Sequence, residues 1–163
     1  MRLNIHMRHM MMIFVTGISM TGASAMASHA QGFDWALRVN EGRVSDAILA
    51  YEVPETDSQL LSMVCEEGGQ RIFVNVNGGP KDLRSIGLKA GAASKQLAGQ
   101  SEYYAEIDEA QFTSTEISSG DPLIAAFAQA GRLTVQTTSG EHVLDGSPQG
   151  RGAVQRFVRF CHG

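Results

Sequence analysis

The sequence contains few of the residues that most often carry chemistry. Two cysteines and five histidines are spread over 163 residues. No C-x-x-C pair and no short-spaced set of metal ligands occurs, so neither a redox motif nor a zinc site is predicted. Prolines are also few, four against eighteen glycines, which indicates many tight turns between short elements. The absence of these motifs leaves no catalytic signature and no expected cofactor.

Long hydrophobic runs are missing too, but the overall composition is not that of a disordered chain. Hydrophobic residues make up 43% and charged residues 18% of the sequence, which excludes a disordered chain and a multi-span membrane protein. A length of 163 residues indicates one domain plus a targeting segment.

The N-terminus has the pattern of a secretory signal peptide. Arg2 and Arg8 give a positive start, and an apolar stretch from Met10 to about Met20 follows. This stretch is too short for a bilayer, which needs about 20 residues. Small-residue A-x-A-like endings then place cleavage after Ala30, with Ala25 as the alternative.

Cleavage would leave a single acidic domain, residues 31–163, behind a signal peptide of residues 1–30. The mature part keeps 11 basic and 17 acidic residues, a net charge of −6. This charge argues against a nucleic-acid partner. We therefore expect a periplasmic or secreted protein with no transmembrane anchor after cleavage.

The mature sequence predicts an α+β fold, with a mostly antiparallel sheet, or a compact barrel or sandwich, and two short helices near the C-terminus. Alternating segments predict strands, the clearest being the hairpin around Glu66-Glu67-Gly68-Gly69. Asp121-Pro122 predicts the start of one helix, and Gly131 its end. A second helix is predicted after Gly150. Trp35 is expected to anchor the core.

Two regions have weaker patterns. Residues 81–100 suggest a strand and an open loop. Tyr103, Ala105 and Ile107 alternate and suggest a further strand, which would place Glu106 and Asp108 on one solvated face.

The two cysteines are expected to form one disulfide. In an oxidising compartment a minimal even pair usually does so, and a Cys65–Cys161 bridge would tie the last helix to the central hairpin. The alternative is a reactive thiol, but Glu66-Glu67 beside Cys65 and the helix C-terminus at Cys161 both disfavour a thiolate.

Other candidate groups have weak support. His142, beside Glu141, and His162 lack a third metal ligand nearby, and both are expected to be exposed. Gly146-Ser147-Pro148 lacks the G-x-S-x-G frame of a nucleophile elbow and predicts a turn. The acidic cluster of Glu106, Asp108 and Glu109 is expected to be a solvated face.

Short segments of the C-terminal third resemble a family of small exported proteins. These are Gly120-Asp121-Pro122-Leu123-Ile124, Gly131-Arg132-Leu133-Thr134-Val135 and Leu144-Asp145-Gly146-Ser147. With Trp35 and Cys65, they are similar to the type VI secretion-associated VasI family and, more loosely, to the invasion-associated locus B family. The resemblance implies a non-enzymatic envelope protein with a Cys65–Cys161 bridge and no catalytic residues. The missing second cysteine pair departs from the locus B pattern.

The leading hypothesis is therefore an exported accessory or binding protein of the cell envelope, not an enzyme, that contacts an envelope or secretion-apparatus protein. One alternative is a periplasmic inhibitor or small-ligand-binding module. The other is a small hydrolase that uses His142 with an acidic neighbour.

Export and disulfide formation are tested together by the intact mass of the exported protein, alkylated before and after reduction. We expect an N-terminus near Gln31 and no thiol labelling until reduction. Two free thiols or an uncleaved N-terminus would contradict the predicted compartment and reopen thiol chemistry at Cys65.

Overall fold

The computed structural model describes residues 32–163, and the predicted signal peptide lies outside them. The described part forms one antiparallel sheet with two helices, which confirms the predicted α+β class. Its elements are β1 (Asp34–Asn40), β2 (Asp46–Glu52), β3 (Gln59–Glu66), β4 (Arg71–Asn77), β5 (Ser85–Ala90), β6 (Ala93–Tyr104), β7 (Glu109–Ser114), β8 (Ile117–Ser118), α1 (Pro122–Ala130), β9 (Arg132–Thr137), β10 (Gly140–Asp145) and α2 (Pro148–His162).

The sheet is an open half-barrel in the order β1-β2-β3-β4-β7-β6-β5-β9-β10, with the short β8 paired to β4. All neighbouring strands are antiparallel. The two edges are therefore β1 and β10, the first and last strands of the described part.

Both helices pack on the concave inner face. Alternate strand residues point inward, as the period of two requires, and they join the apolar faces of α1 and α2 in one core. Trp35 is buried as predicted. Its ring centroid lies 4.9 Å from those of Tyr51 and Phe127, and its Nε1 donates to the carbonyl oxygen of Gly131 at 3.0 Å.

The C-terminal end of α2 is fastened to the β3–β4 hairpin. Cys65 and Cys161 form a disulfide with Cα atoms 5.7 Å apart. The backbone N–H of Gly68 donates to Phe160 O at 2.9 Å, and that of Gln70 to Cys161 O at 3.0 Å. In the chain-entropy estimate, closing a loop of this size stabilises the fold by about 4–5 kcal/mol.

The helix ends follow the sequence signals. Asp121 caps α1, because its side chain accepts from the N–H of Leu123, and Gly131 ends that helix with φ 68°. The second helix begins at Pro148, slightly before the predicted Gly150, because the Ser147 side chain accepts from the N–H of Gly150 and so caps the first turn.

Two predictions for the middle of the chain are wrong. Residues 81–100 contain two strands, β5 and most of β6, joined by a turn at Gly91. One face of β5 is buried and β6 is mostly exposed, and Gly87 and Gly99 within the two strands weaken the strand signal. The strand predicted through Ile107 ends at Tyr104, and a turn with Asp108 at φ 52° follows.

The connections between the strands lie at two opposite ends of the sheet. The connections β1–β2, β3–β4 and β5–β6 lie at the end that carries the disulfide. The connections β2–β3, β4–β5, β6–β7 and β9–β10 lie at the opposite end, as the strand pairings require. We call this second end the open end.

Two glycines of α2 allow a matched test of the packing at its N-terminus. A Cβ at Gly150 would overlap the Asp34 carboxylate, which three hydrogen bonds from Trp35 and Ser147 hold in place. At Gly152 the nearest atom belongs to the flexible Arg156 side chain, 3.5 Å away.

Gly150→Ala is expected to lower the free energy of unfolding by about 1–3 kcal/mol through overpacking. Gly152→Ala is expected to raise it by about 0.5–1 kcal/mol, because alanine favours a helix interior. Denaturant unfolding measures both. Equal changes in the free energy of unfolding would show that the Asp34 carboxylate does not limit the size of the side chain at position 150.

Candidate functional site at the open end of the sheet

The connections at the open end form a continuous border, which we call the rim: residues 53–58, 78–84, 102–109 and 138–139. Asn77 lies at its centre. It pairs with Gln111 across β4 and β7, and it lines three separate depressions, with volumes of about 140, 290 and 430 Å³. Three depressions therefore adjoin the rim.

Nearly all of the net charge of the domain lies on this rim. It carries seven carboxylates, all on exposed residues, and two basic side chains, Lys81 and Arg84. Its net charge is −5, and the rest of residues 32–163 has a net charge of −1. The carboxylates belong to Glu55, Asp57, Asp82, Glu102, Glu106, Asp108 and Glu109.

The rim also exposes large apolar side chains. Ile107, at the tip of the β6–β7 hairpin, is 65% exposed, and Tyr103 and Tyr104 beside it are each 38% exposed. Leu60 adds a further exposed side chain at the start of β3. Exposed aromatic and apolar groups beside charged ones are typical of binding surfaces.

Tyr103 is held in one orientation by its neighbours. The Lys81 ammonium lies 3.4 Å from the centroid of its ring, a cation–π contact, and the Tyr103 hydroxyl donates to Asp108. This hydrogen bond and the positive charge of Lys81 hold the pKa of Asp108 below its usual range. These contacts link the tip of the β6–β7 hairpin to the β4–β5 connection.

Beneath the rim, a row of amides forms a fixed base. Asn77 Nδ2 donates to Gln59 O at 3.0 Å, and Gln111 Nε2 donates to Asn77 Oδ1 at 3.0 Å. Beside them, Arg38 forms a bidentate ion pair with Glu52. That hydrogen bonding raises the pKa of the Arg38 guanidinium.

The smallest of the three depressions enters the inside of the half-barrel. It has a volume of about 140 Å³ and an apolar lining, with His142, Thr137 and Ser139 at its border. The apolar lining comes from Leu60, Leu61, Val76, Val135 and Leu144.

The acid–base pair of the hydrolase hypothesis is not assembled. His142 is exposed, as predicted, and its ring has no hydrogen-bond partner in residues 32–163. Glu141 lies on the other face of β10, and its carboxylate accepts from Gln136 Nε2 at 2.9 Å. No acidic side chain therefore orients the His142 ring.

The other candidate residues lie apart from the rim. Cys65 and Cys161 are joined and buried. His162 is exposed, with Nδ1 3.2 Å from Ser119 Oγ. Ser147 caps α2 and donates its hydroxyl to Asp34, so it is part of a turn as predicted. Among residues 32–163, no group of three His, Cys, Asp or Glu side chains is placed to hold a metal ion.

A second surface groove lies on the convex face near the disulfide end. It has a volume of about 380 Å³ and is lined by Val44, Val64 and Phe73. Asp46, Glu66 and Arg71 surround it, so its border has mixed charge. The rim differs from this groove in having charge of predominantly one sign.

Comparisons with protein-family profiles, with curated proteins and with solved structures give no match for this chain. The VasI-like resemblance therefore stays a prediction. In the described part of the chain, no helix combines the length and apolar character needed to span a membrane.

Sequence reasoning identified only part of the rim. The cluster of Glu106, Asp108 and Glu109 with the two neighbouring tyrosines is visible in the sequence, but we predicted a solvated strand face. The other acids belong to loops that are far apart in sequence and adjacent only through the strand order.

Tyr103→Phe tests the order of the hairpin tip. Without the hydroxyl, the carboxylate of Asp108 loses a hydrogen bond that favours its charged form, so its pKa is expected to rise towards the ordinary value. Carboxyl-carbon NMR titration measures this, with the Tyr104→Phe variant as the control, since Tyr104 bonds Glu102 instead. An unchanged Asp108 pKa in Tyr103→Phe would show that the tip is not ordered by this contact.

Proposed function

We propose that this domain is an exported, non-enzymatic binding protein of the cell envelope, and that its rim binds a basic protein. The observation that carries the proposal is the concentration of charge: the rim accounts for −5 of the net −6. A field of one sign attracts a partner of the opposite sign and excludes acidic ones.

The apolar groups of the rim supply binding free energy that the charges alone do not. Exposed carboxylates contribute little free energy individually, because water and salt screen them. Burial of Ile107 and the two tyrosines would contribute most of the affinity, since aromatic anchors dominate binding interfaces. The acids then set the encounter rate and the choice of partner.

The dimensions of the depressions favour a protein over a small molecule. Small-molecule sites usually enclose about 300–1,000 Å³ with an apolar lining. The apolar cavity at the rim is about 140 Å³, which suits a single side chain. The larger depressions beside it are shallow, one with a mixed lining and the other with a mainly polar one.

The compartment of the proposal rests on two features. The N-terminal sequence has the signal-peptide pattern, and the Cys65–Cys161 disulfide is compatible with an oxidising environment. A partner in the envelope or in a secretion apparatus fits both.

A photo-crosslinking residue in place of Ile107, used in the exporting cell, tests the proposal. We expect an adduct with a basic protein, formed less at high salt. In the triple variant Asp57→Asn, Glu106→Gln, Glu109→Gln the adduct is expected to fall about tenfold, in line with the loss of about 1.4 kcal/mol of favourable interaction.

The matched control is Glu41→Gln, Glu66→Gln, Glu67→Gln, which removes the same charge at the disulfide end. It is expected to leave the adduct unchanged. Equal losses in the two triple variants, or an adduct with an acidic protein, would refute the proposal.

A further inference from the structure

Strand β10 is an edge of the sheet, and part of its backbone hydrogen-bonding groups point away from its neighbour β9. It pairs on one side with β9, and Thr137 and Gly140 close their two-residue turn. Antiparallel pairs alternate between bonded and non-bonded. Counting from the turn, Glu141, Val143 and Asp145 direct their N–H and C=O groups away from β9.

The structure confirms this alternation at Asp145. Its N–H donates to the Tyr51 hydroxyl, and the same hydroxyl donates to its carbonyl oxygen, both at 3.3 Å. The outward groups of Asp145 are therefore bonded within the domain. The outward backbone groups of Val143 and Glu141 have no such partner in residues 32–163.

The small apolar cavity lies directly against the inner face of the same strand. His142 and Leu144 point into it from β10, and Leu60, Leu61 and Val76 form its far side. A strand placed along β10 would direct alternate side chains towards this inner face. The volume of about 140 Å³ accommodates one leucine- or valine-sized group.

On the outer face, the charges favour one kind of strand. Glu141 points outward, where its carboxylate accepts from Gln136 Nε2, and it directly follows the β9–β10 connection, which belongs to the acidic rim. A strand with basic residues facing outward and an apolar residue facing the cavity would satisfy both faces. A second copy of this chain would instead bring two acidic rims together.

We propose that β10 accepts an extended, basic segment of the partner protein as an added strand, with one apolar side chain of that segment in the cavity. This inference rests on the proposed function and specifies how the partner binds. Main-chain hydrogen bonds at Glu141 and Val143 supply affinity, and the cavity selects the register.

The probe is the synthetic peptide acetyl-Lys-Val-Lys-Leu-Lys-Val-Lys-amide. We expect the amides of Glu141 and Val143 to exchange quickly in the free protein and slowly in the peptide-saturated one. A peptide with glutamate in place of lysine is expected not to bind.

Val143→Pro removes the outward N–H at an edge position, where proline is tolerated, and should weaken peptide binding about tenfold, the effect of about one lost hydrogen bond. Val143→Thr keeps the N–H and the β-branched shape and should bind as the unaltered protein does. Hydrogen exchange of the core amides shows whether both variants fold.

The outcomes separate the two proposals. Failure of the lysine peptide to protect Val143, or equal binding by both Val143 variants, overturns strand addition. If the rim triple variant still loses its adduct in the cell, the proposed function stands alone. Protection of Val143 before peptide is added would mean that the edge is already filled by a second copy or by this chain's own N-terminal residues, and would also overturn strand addition.

Discussion

The fold depends on the attachment of α2 inside the half-barrel. An open sheet of this order cannot bury its concave face by closing on itself, so the helices must cover it. The Cys65–Cys161 bridge and two backbone hydrogen bonds fix the helix C-terminus at one end. At the opposite end of the half-barrel, a cavity of about 140 Å³ remains between β3, β4, β9 and β10.

The residues just before α2 connect the two sides of the open sheet by hydrogen bonds. Asp34 of β1 accepts hydrogen bonds from Ser147 just before α2, and Tyr51 of β2 bonds the backbone of Asp145 at the end of β10. Burial raises the pKa of the Tyr51 hydroxyl, so it stays protonated and can both donate and accept. Among residues 32–163 these contacts join the two sides of the sheet, and the outward backbone groups of Glu141 and Val143 are left without a partner.

Local sequence signals predicted most of the architecture. The capping residue Asp121, the terminator Gly131 and the alternating strands around Cys65 are each decided by neighbours a few residues away. Strands β5 and β6 escaped prediction, because their glycines weaken a local strand pattern and are explained only by contacts with elements distant in sequence. Gly99 illustrates this: a side chain there would overlap Thr113 and Phe112 of β7, a contact that no local pattern reveals.

The rim could not be predicted for the same reason. Its acids lie in separate connections, and only the strand order brings Asp57, Asp82 and Glu106 to one end. Each of them alone is an ordinary solvated carboxylate. The proposed function rests on their location at one end, since repulsion between like charges costs stability and is not needed for folding.

The acidity of the rim also explains how an unpaired edge strand can be tolerated. A free edge invites pairing with other copies and aggregation. Here the edge is short, and Glu141 and the rim carboxylates repel a second acidic chain. The same charges do not repel a basic segment. The arrangement that protects β10 from its own copies thus leaves it open to one class of partner, which is why the proposed function assigns the charge and the edge to a single binding surface.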